Sequence, residues 1–180
     1  GLTLEQRETD RTLEKLDELD PARRIELLEA YVDYAAWDEA LSLYKELSEQ
    51  SITQAKTHRL GGLAHLAKGD LEAAISALQQ AVELSPTPDN RKLLATAFST
   101  AGRHADALEQ YRRLVSADPG PETIRAAAHA AVKAEQLSEA LNFSMRLAAT
   151  DPDDPKLRMQ AAQIAERATD VRQALIQWSI

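Results

Sequence analysis

Two histidines are the first candidates for metal chemistry in this sequence. His58 and His65 stand seven residues apart, so they can share one face of a helix. A zinc pair on a helix needs a spacing of three or four residues, and no third ligand lies nearby. We therefore expect both histidines, and also the isolated His104 and His129, to be structural or solvated. No metal or cofactor is predicted.

The acidic residues are the next candidates, for calcium binding or acid–base catalysis. Glu14, Asp17, Glu18 and Asp20 lack the alternating oxygen ligands and central glycine of a calcium loop, which predicts a solvated helix face. The sequence also has no glycine-rich phosphate loop, no nucleophile elbow and no paired carboxylates framed by a predicted cleft. It therefore predicts a protein that is not an enzyme.

The composition narrows both the fold class and the class of partner. The 180 residues include 21 Lys and Arg against 29 Asp and Glu, so the net charge is −8 and nucleic-acid phosphates are repelled on average. Without any Cys there are no disulfides, thiolate metal sites or thiol nucleophiles. Only 6 Gly and 4% aromatic residues in a chain that is 44% hydrophobic are typical of stacked helices. Because no apolar run reaches the roughly 18 residues of a membrane span, we expect an all-α chain that neither binds nucleic acid nor inserts into a membrane.

Prolines that follow a potential N-cap residue mark helix starts along the chain. They are Pro21, Pro88, Pro121 and Pro155, preceded by Asp, Thr, Gly and Asp. The steps from 88 to 121 and from 121 to 155 are nearly equal. The step from 21 to 88 is twice as long, so it divides into two equal parts if a further helix starts at Ala55. The repeat is therefore about 33–34 residues long.

An alanine in each repeat gives an independent register. The repeat length of about 33–34 residues also separates Ala40, Ala74, Ala107, Ala140 and Ala174. A residue that stays small at one place allows two helix axes to approach closely. Four residues later come the large residues Tyr44, Leu78, Tyr111 and Trp178. Prolines at 86, 119 and 152 then end the second helix, so each repeat is helix, turn, helix and stop.

The second repeat resembles the tetratricopeptide repeat, a 34-residue helical hairpin. The residues that carry the resemblance are Gly62, the run Gly69-Asp70-Leu71-Glu72-Ala73-Ala74-Ile75, Leu78, Ala81 and Pro86. The resemblance covers roughly residues 21–180 and implies a right-handed α-solenoid of stacked antiparallel helix pairs, about 4.5–5 repeats long. A 35-residue RNA-reading repeat is the nearest rival, and the acidic balance argues against it.

Two positions depart from the family pattern. The early tryptophan is replaced by Arg24, His58, Arg91, Ile124 and Arg158. The glycine between the helices is replaced by Ala35, Glu135 and Thr169. Gly61 adds a second glycine beside Gly62, so we expect Gly61→Ala to stabilise the helix by up to about 1 kcal/mol if the site has room.

These signals predict eleven helices, at residues 4–18, 21–34, 37–49, 53–67, 71–83, 88–101, 104–116, 121–134, 137–149, 155–168 and 171–180. The predicted organisation is the closing helix of a preceding repeat at 1–20, repeats at 21–54, 55–87, 88–120 and 121–154, and a truncated repeat at 155–180. Leu175 and Trp178 would leave an apolar face at the end of the array. We therefore expect an excerpt from a longer array.

The resemblance implies that the first helix of each repeat lines a concave groove. From the second repeat onward, the outward positions of these helices carry seven Lys or Arg and three Asp or Glu, which predicts a locally basic groove. The candidate groove residues are Lys56, Arg59, Leu63, Leu66, Lys92, Thr96, Arg125, His129, Lys133, Lys156, Met159 and Arg167. The family's clamp for C-terminal carboxylates uses paired Asn, which are missing here, so that chaperone-binding role is not expected.

The predicted function is a non-catalytic scaffold that binds another protein through this groove. One alternative is a structural module that associates with itself through the ends of the array. Another is a cytoplasmic adaptor. A receptor that binds carbohydrate directly is the least favoured, because the groove positions contain no aromatic residue.

The Ala- and Leu-rich, Asp-Pro-punctuated, cysteine-free array also resembles those of bacterial exopolysaccharide export proteins, including the Pel-type and cellulose-type outer-membrane exporters. This resemblance implies a periplasmic array with a role in biofilm formation. It further implies a polysaccharide-modifying enzyme as the partner protein.

Overall fold

The structure confirms the all-α prediction for the residues that it describes. The computed structural model describes residues 20–51 and 54–178, with residues 170–178 given by their backbone alone. Nine helices and no strand occur in these ranges. They are α1 (Pro21–Asp33), α2 (Trp37–Glu49), α3 (Ala55–Lys68), α4 (Leu71–Leu84), α5 (Pro88–Thr100), α6 (His104–Ala117), α7 (Pro121–Lys133), α8 (Leu137–Thr150) and α9 (Pro155–Trp178). The helix predicted at 4–18 lies outside the described residues.

The proline and N-cap signals place the helix starts correctly. Helices begin at all four marked prolines and also at Ala55. The Asp20 carboxylate accepts from the Arg23 backbone N–H at 3.0 Å, and the Thr87 hydroxyl accepts from the Asn90 backbone N–H at 3.3 Å. These caps satisfy donors that have no partner within the helix.

The first helix in each of four pairs ends on a residue with a left-handed backbone. These residues are Ala35, Gly69, Gly102 and Glu135, with φ values of 55°, 84°, 74° and 58°. At each turn the next residue donates its N–H to a carbonyl five residues earlier, as Ala36 does to Tyr31 at 2.8 Å and Gln136 to Ala131 at 2.9 Å. This is the Schellman arrangement. It reverses the chain and starts the second helix.

The final helix differs from the prediction. The sequence predicts two helices, at 155–168 and 171–180, but α9 is continuous over Pro155–Trp178. Thr169 stands where the other turns have their left-handed residue, and a β-branched side chain disfavours that conformation. Its hydroxyl instead donates to the Ala165 carbonyl at 2.9 Å, as inside a helix. The predicted turn at this position is wrong.

The register alanines lie where helices meet. Ala40, Ala74, Ala107 and Ala140 are all fully buried. These four alanines are therefore buried, as a close contact between helices requires, while the side chain of Ala174 lies outside the described residues. A larger side chain at any of the four would separate the two helices of the pair.

The arginines at the tryptophan position of the family have a structural role. Arg24 is buried, forms an ion pair with Glu46, and donates to Gln50 at 2.5 Å. Arg91 donates to Gln110 at 3.3 Å. Each arginine therefore ties the first helix of a pair to the second, which explains why the hairpin forms without the tryptophan.

The chain divides into two compact halves, Gly1–Pro86 and Thr87–Ile180. In the N-terminal half, α1 packs against α2 and α3, and α3 packs against α2 and α4. In the C-terminal half, each helix from α5 to α9 packs against the next. There Arg112 of α6 donates to both Glu139 oxygens, at 2.8 and 2.6 Å, and to Gln136 at 2.7 Å. This contact fixes α6 against the start of α8, and Glu139 raises the pKa of Arg112.

None of the described helices has an apolar stretch long enough to cross a membrane.

Candidate functional site

The candidate groove residues of the N-terminal half all lie on α3. Arg59, Leu63 and Leu66 are half-buried there. The Lys56 ammonium lies 2.6 Å from a carboxylate oxygen of Glu29 on α1. An ion pair of this kind offsets the cation, so this half contributes less free positive charge than the sequence predicts.

An aromatic contact between the half-buried Tyr44 and the buried His58 lies in the same half. The Tyr44 hydroxyl is 3.0 Å from His58 Nδ1, and the Tyr44 ring meets the His58 and His65 rings edge to face at 5.9 and 6.0 Å. Burial lowers the pKa of His58 and raises that of Tyr44. His58 therefore has a structural role, as predicted. In the described part of the chain, no three His, Asp or Glu side chains are grouped to hold a metal ion.

The candidates of the C-terminal half lie on α5, α7 and α9, the first helices of their pairs. All of them are exposed or partly exposed: Lys92, Thr96, Arg125, His129, Lys133, Lys156, Met159 and Arg167. Arg125 forms an ion pair of 2.5 Å with Glu122, one turn away on α7. Because the side chains of this pair are 53% and 81% exposed, the pair is weakly held and the guanidinium stays accessible.

One pocket lies between α5 and α7. Its volume is about 580 Å³, and the candidates Thr96, Arg125 and His129 line it. The remaining lining residues are Ser99, Thr100, Tyr111, Glu122 and Ala126. Four of the eight lining residues carry hydroxyl groups, and they lie beside one guanidinium and one carboxylate. These groups can form hydrogen bonds with a polar segment.

A second pocket, of about 460 Å³, lies between α7, α8 and α9. Arg125 and His129 line it as well, so the two pockets adjoin, and Arg167 completes its polar rim. The other lining residues are Ala128, Val132, Ser144, Leu147, Gln160, Gln163 and Ile164. Among the described residues that line it there is no carboxylate. We call these two adjoining pockets the C-terminal groove.

Lys92 has a different environment from the cations of the C-terminal groove. It lines a third pocket, of about 360 Å³, together with Asp89, Asp118 and Glu122. Three carboxylates around one ammonium give this pocket a negative balance. Lys133, Lys156 and Met159 line none of these three pockets. The single basic strip predicted from the sequence spans both halves of the chain and stays a prediction.

The floor of the second pocket consists of residues that are not among the groove residues predicted from the sequence. Ser144, Leu147 and Ala128 are buried there, and Gln160 and Ile164 form part of its wall. A signal for Ser144 exists in the sequence. It stands four residues after Ala140, the position at which the earlier repeats have Tyr44, Leu78 and Tyr111. A small residue at a position that is otherwise large predicts a gap.

The C-terminal groove combines cationic side chains with a buried apolar floor. Two guanidinium groups can donate paired hydrogen bonds to carboxylates, while the buried floor can accept an apolar side chain. The arrangement is that of a binding surface with polar groups at its edge.

Comparisons with known proteins agree with the helical-hairpin architecture. Two overlapping matches to the family profile described as Tetratricopeptide repeat cover residues 25–87 and 59–121. No curated protein sequence matches the chain significantly.

Solved structures of MamA share the fold. The chain aligns with MamA from AMB-1 at a TM-score of 0.69 and 12% identity, over 88% of each chain. A second MamA structure aligns at 0.68 and 23% identity over 79% of each chain, and a MamA variant from RS-1 at 0.68 and 18% over 89% of this chain and 92% of that one. Identities this low show the likeness of fold alone.

The two profile matches together span more than half of the sequence. They coincide with the helix pairs that begin at Pro21, Ala55 and Pro88. The chain therefore belongs to the tetratricopeptide repeat family.

Proposed function

We propose that this chain is a non-catalytic scaffold whose C-terminal groove binds an acidic segment of another protein. The observation that carries the proposal is the shared position of Arg125 and His129 between two adjoining pockets, with Arg167 on the far rim of the second. Arg125 and His129 lie on α7 and Arg167 lies on α9, so a bound segment would contact both helices. Membership of a repeat family that generally binds proteins supports this function.

Local charge explains how an acidic chain can bind an acidic partner. The net charge is −8, yet the second pocket has two arginines and no carboxylate among its described lining residues. Attraction acts over a screening length of about 8 Å at physiological salt, so nearby charges matter most. Glu122 offsets part of the charge of Arg125 in an exposed ion pair, while Arg167 has no ion-pair partner among the described side chains. Charges at the rim of an interface mainly set orientation and association rate. Affinity requires the apolar floor as well.

Selection from a displayed library of random twelve-residue peptides tests the proposal without a known partner. We expect the wild-type chain to enrich peptides rich in Asp and Glu, and enrichment to weaken as salt rises. The double variant Arg125→Glu/Arg167→Glu should lose this enrichment, because the carboxylates it introduces repel the same peptides. Melting temperature should stay nearly unchanged, since exposed charges contribute little to stability.

A matched control separates local from overall charge. The double variant Arg113→Glu/Arg146→Glu changes the net charge by the same amount at exposed positions of α6 and α8 outside the groove. It should enrich the same acidic peptides as the wild type. If the wild type enriches nothing, or if both double variants behave alike, the C-terminal groove is not an acidic-peptide site.

We also propose, from the resemblance of composition alone, that the array acts in the periplasm in exopolysaccharide export, with a polysaccharide-modifying enzyme as partner. Fractionation of cells that produce this protein should place it in the periplasm. Deletion of the array should reduce secreted polysaccharide. A cytoplasmic location would favour the adaptor alternative instead.

A further inference from the structure

One position in the second helix of each repeat decides how neighbouring repeats meet. Four residues after the register alanine stand Tyr44, Leu78, Tyr111 and Ser144. In the N-terminal half, the Tyr44 ring fills the space between α2 and α3. A Cβ added to Gly61 would lie 2.6 Å from three carbons of that ring, so the helix and the ring are in direct contact. Here the chain's own aromatic side chain closes the gap.

The corresponding position of α8 in the C-terminal half has a small side chain, because Ser144 stands where the first repeat has Tyr44. Ser144 is buried and lies in the floor of the pocket of about 460 Å³. From α9 the pocket is lined by Gln160, Gln163, Ile164 and Arg167. The small side chain of Ser144 therefore leaves the floor of this pocket open.

The walls and rim of this pocket indicate what could fill it. Leu147 and Ala128 are buried beside Ser144, while Val132 and Ile164 form half-buried walls. Apolar walls of this kind hold water poorly and favour an apolar group. The exposed rim has Arg125 of α7 and Arg167 of α9 on its two sides. Within the described side chains, Arg167 has no ion-pair partner.

We propose that the Ser144 pocket accepts one large apolar side chain, aromatic by preference, from a partner peptide that has Asp or Glu next to it in sequence. The partner's side chain lies against Ser144, the residue that stands where the first repeat has Tyr44. The neighbouring carboxylates pair with Arg125 and Arg167, so charge complementarity selects an acidic segment. This inference rests on the proposed function and names the ligand class of that groove.

Filling the pocket from within the chain tests the inference. In the peptide selection described above, the wild type should enrich sequences that have Tyr, Phe, Trp or Leu beside Asp or Glu. Ser144→Tyr restores the ring that the other repeats have. It should still enrich acidic peptides but no longer select the large apolar residue. The matched control Ser138→Tyr, at an exposed position at the start of the same helix, should select like the wild type.

A synthetic peptide of the selected consensus sharpens the result, with calorimetry as the measurement. Replacing its large apolar residue by Ala should weaken binding to the wild type about tenfold. The same replacement should have no effect on binding to Ser144→Tyr, because the two changes remove one contact. If Ser144→Tyr does not fold, Ser144→Leu replaces it, since Leu78 shows that leucine fits this position of a helix pair.

The outcomes separate this inference from the function on which it rests. If the wild type enriches no acidic peptide, the proposed function fails. If it enriches acidic peptides without a large apolar residue, or if Ser144→Tyr leaves the selection unchanged, the pocket inference alone is overturned. Sedimentation of the wild type should show a monomer. Concentration-dependent association that Ser144→Tyr removes would assign the pocket to a second copy of the chain and overturn the partner assignment.

Discussion

Tyr44 and Ser144 hold the same position of the repeat, which a large side chain fills in the N-terminal half and a small one leaves open in the C-terminal half. The Tyr44 ring lies directly on Gly61, and the His58 and His65 rings meet it edge to face. Ser144 lies in the floor of a pocket of about 460 Å³. At Tyr44 the position therefore supplies a contact between two repeats, whereas at Ser144 it leaves space beside apolar walls.

This difference teaches where to look for function in a repeat protein. The repeats share the buried alanines that hold each helix pair together. A substitution that keeps this framework but removes one core side chain costs packing energy. Such a loss is tolerated most readily where a ligand replaces the missing contact, because binding then returns stability to the folded state.

The largest predicted effect comes from converting the filled position into an open one. Tyr44→Ser should lower the free energy of unfolding by about 2–3 kcal/mol, less than the cost of removing a fully buried aromatic ring, because Tyr44 is half-buried. Urea unfolding followed by circular dichroism measures this loss. Tyr34→Ser is the matched control, because Tyr34 is 86% exposed, and it should change stability by less than about 0.5 kcal/mol. Equal losses in the two variants would contradict the role given to Tyr44.

The second prediction concerns Gly61, the glycine in contact with the Tyr44 ring. The sequence suggests that Gly61→Ala stabilises the helix if there is room, but the structure leaves no room. The added Cβ would lie 2.6 Å from Tyr44 ring carbons, so we expect a loss of about 1–3 kcal/mol through overpacking. In a Tyr44→Ser background the clash is absent. There the same Gly61→Ala change should instead stabilise by up to about 1 kcal/mol, as alanine does in a helix. A loss of equal size in both backgrounds would contradict the contact.

Tyr44 and Gly61 show how much of the structure can be predicted from the sequence. Spacing alone locates the helix starts and the buried alanines, because caps, prolines and close helix contacts depend on local residue type. Gly61 could not be interpreted this way. Its environment is a side chain of the preceding repeat, in another helix, and no local pattern encodes that contact. The Lys56–Glu29 pair is missed for the same reason, since its two partners also belong to different repeats.

The Ser144 pocket can be predicted from the sequence only in part. Its floor residue departs from the repeat pattern, which a register comparison can detect. Its wall depends on Gln160, Gln163 and Ile164 of α9, and its boundary on Arg167 further along α9. The sequence therefore predicts that a gap exists but not its shape. Arg125, His129 and Arg167 are predicted as groove residues, and the structure brings all three to this pocket.

The third prediction uses pH to test the burial of His58 beside Tyr44. Burial lowers the pKa of His58 below its ordinary value of 6.5, so the folded state favours the neutral ring. Above pH 6.5 His58 is neutral in both states and its contribution to stability is complete. As pH falls below 6.5 the unfolded chain binds a proton first, and stability is lost until the folded-state pKa is passed.

Urea unfolding at pH 7.5 and pH 5.5 measures this dependence. His58→Gln should lose less stability on acidification than the wild type does. The control His129→Gln, at an exposed position, should keep the wild-type pH dependence. If His58→Gln and the wild type lose the same amount, His58 does not titrate as a buried group and the contact around Tyr44 is open to solvent.

The smallest effects distinguish the turn at Glu135 from the continuous helix at Thr169. Glu135 ends α7 with φ of 58°, a conformation that glycine adopts without strain, so Glu135→Gly should stabilise the chain by up to about 1 kcal/mol. Thr169 stands at the equivalent position but inside α9. Thr169→Gly should therefore destabilise the chain by about 0.5 kcal/mol, because glycine is unfavourable in a helix interior.

Thermal unfolding of the two variants shows whether each substitution raises or lowers stability, and hydrogen exchange at residue 169 reports whether the helix persists. If Thr169→Gly stabilises the chain as Glu135→Gly does, the fifth repeat forms the same turn as the others, and the wall of the Ser144 pocket ends where α9 would reverse.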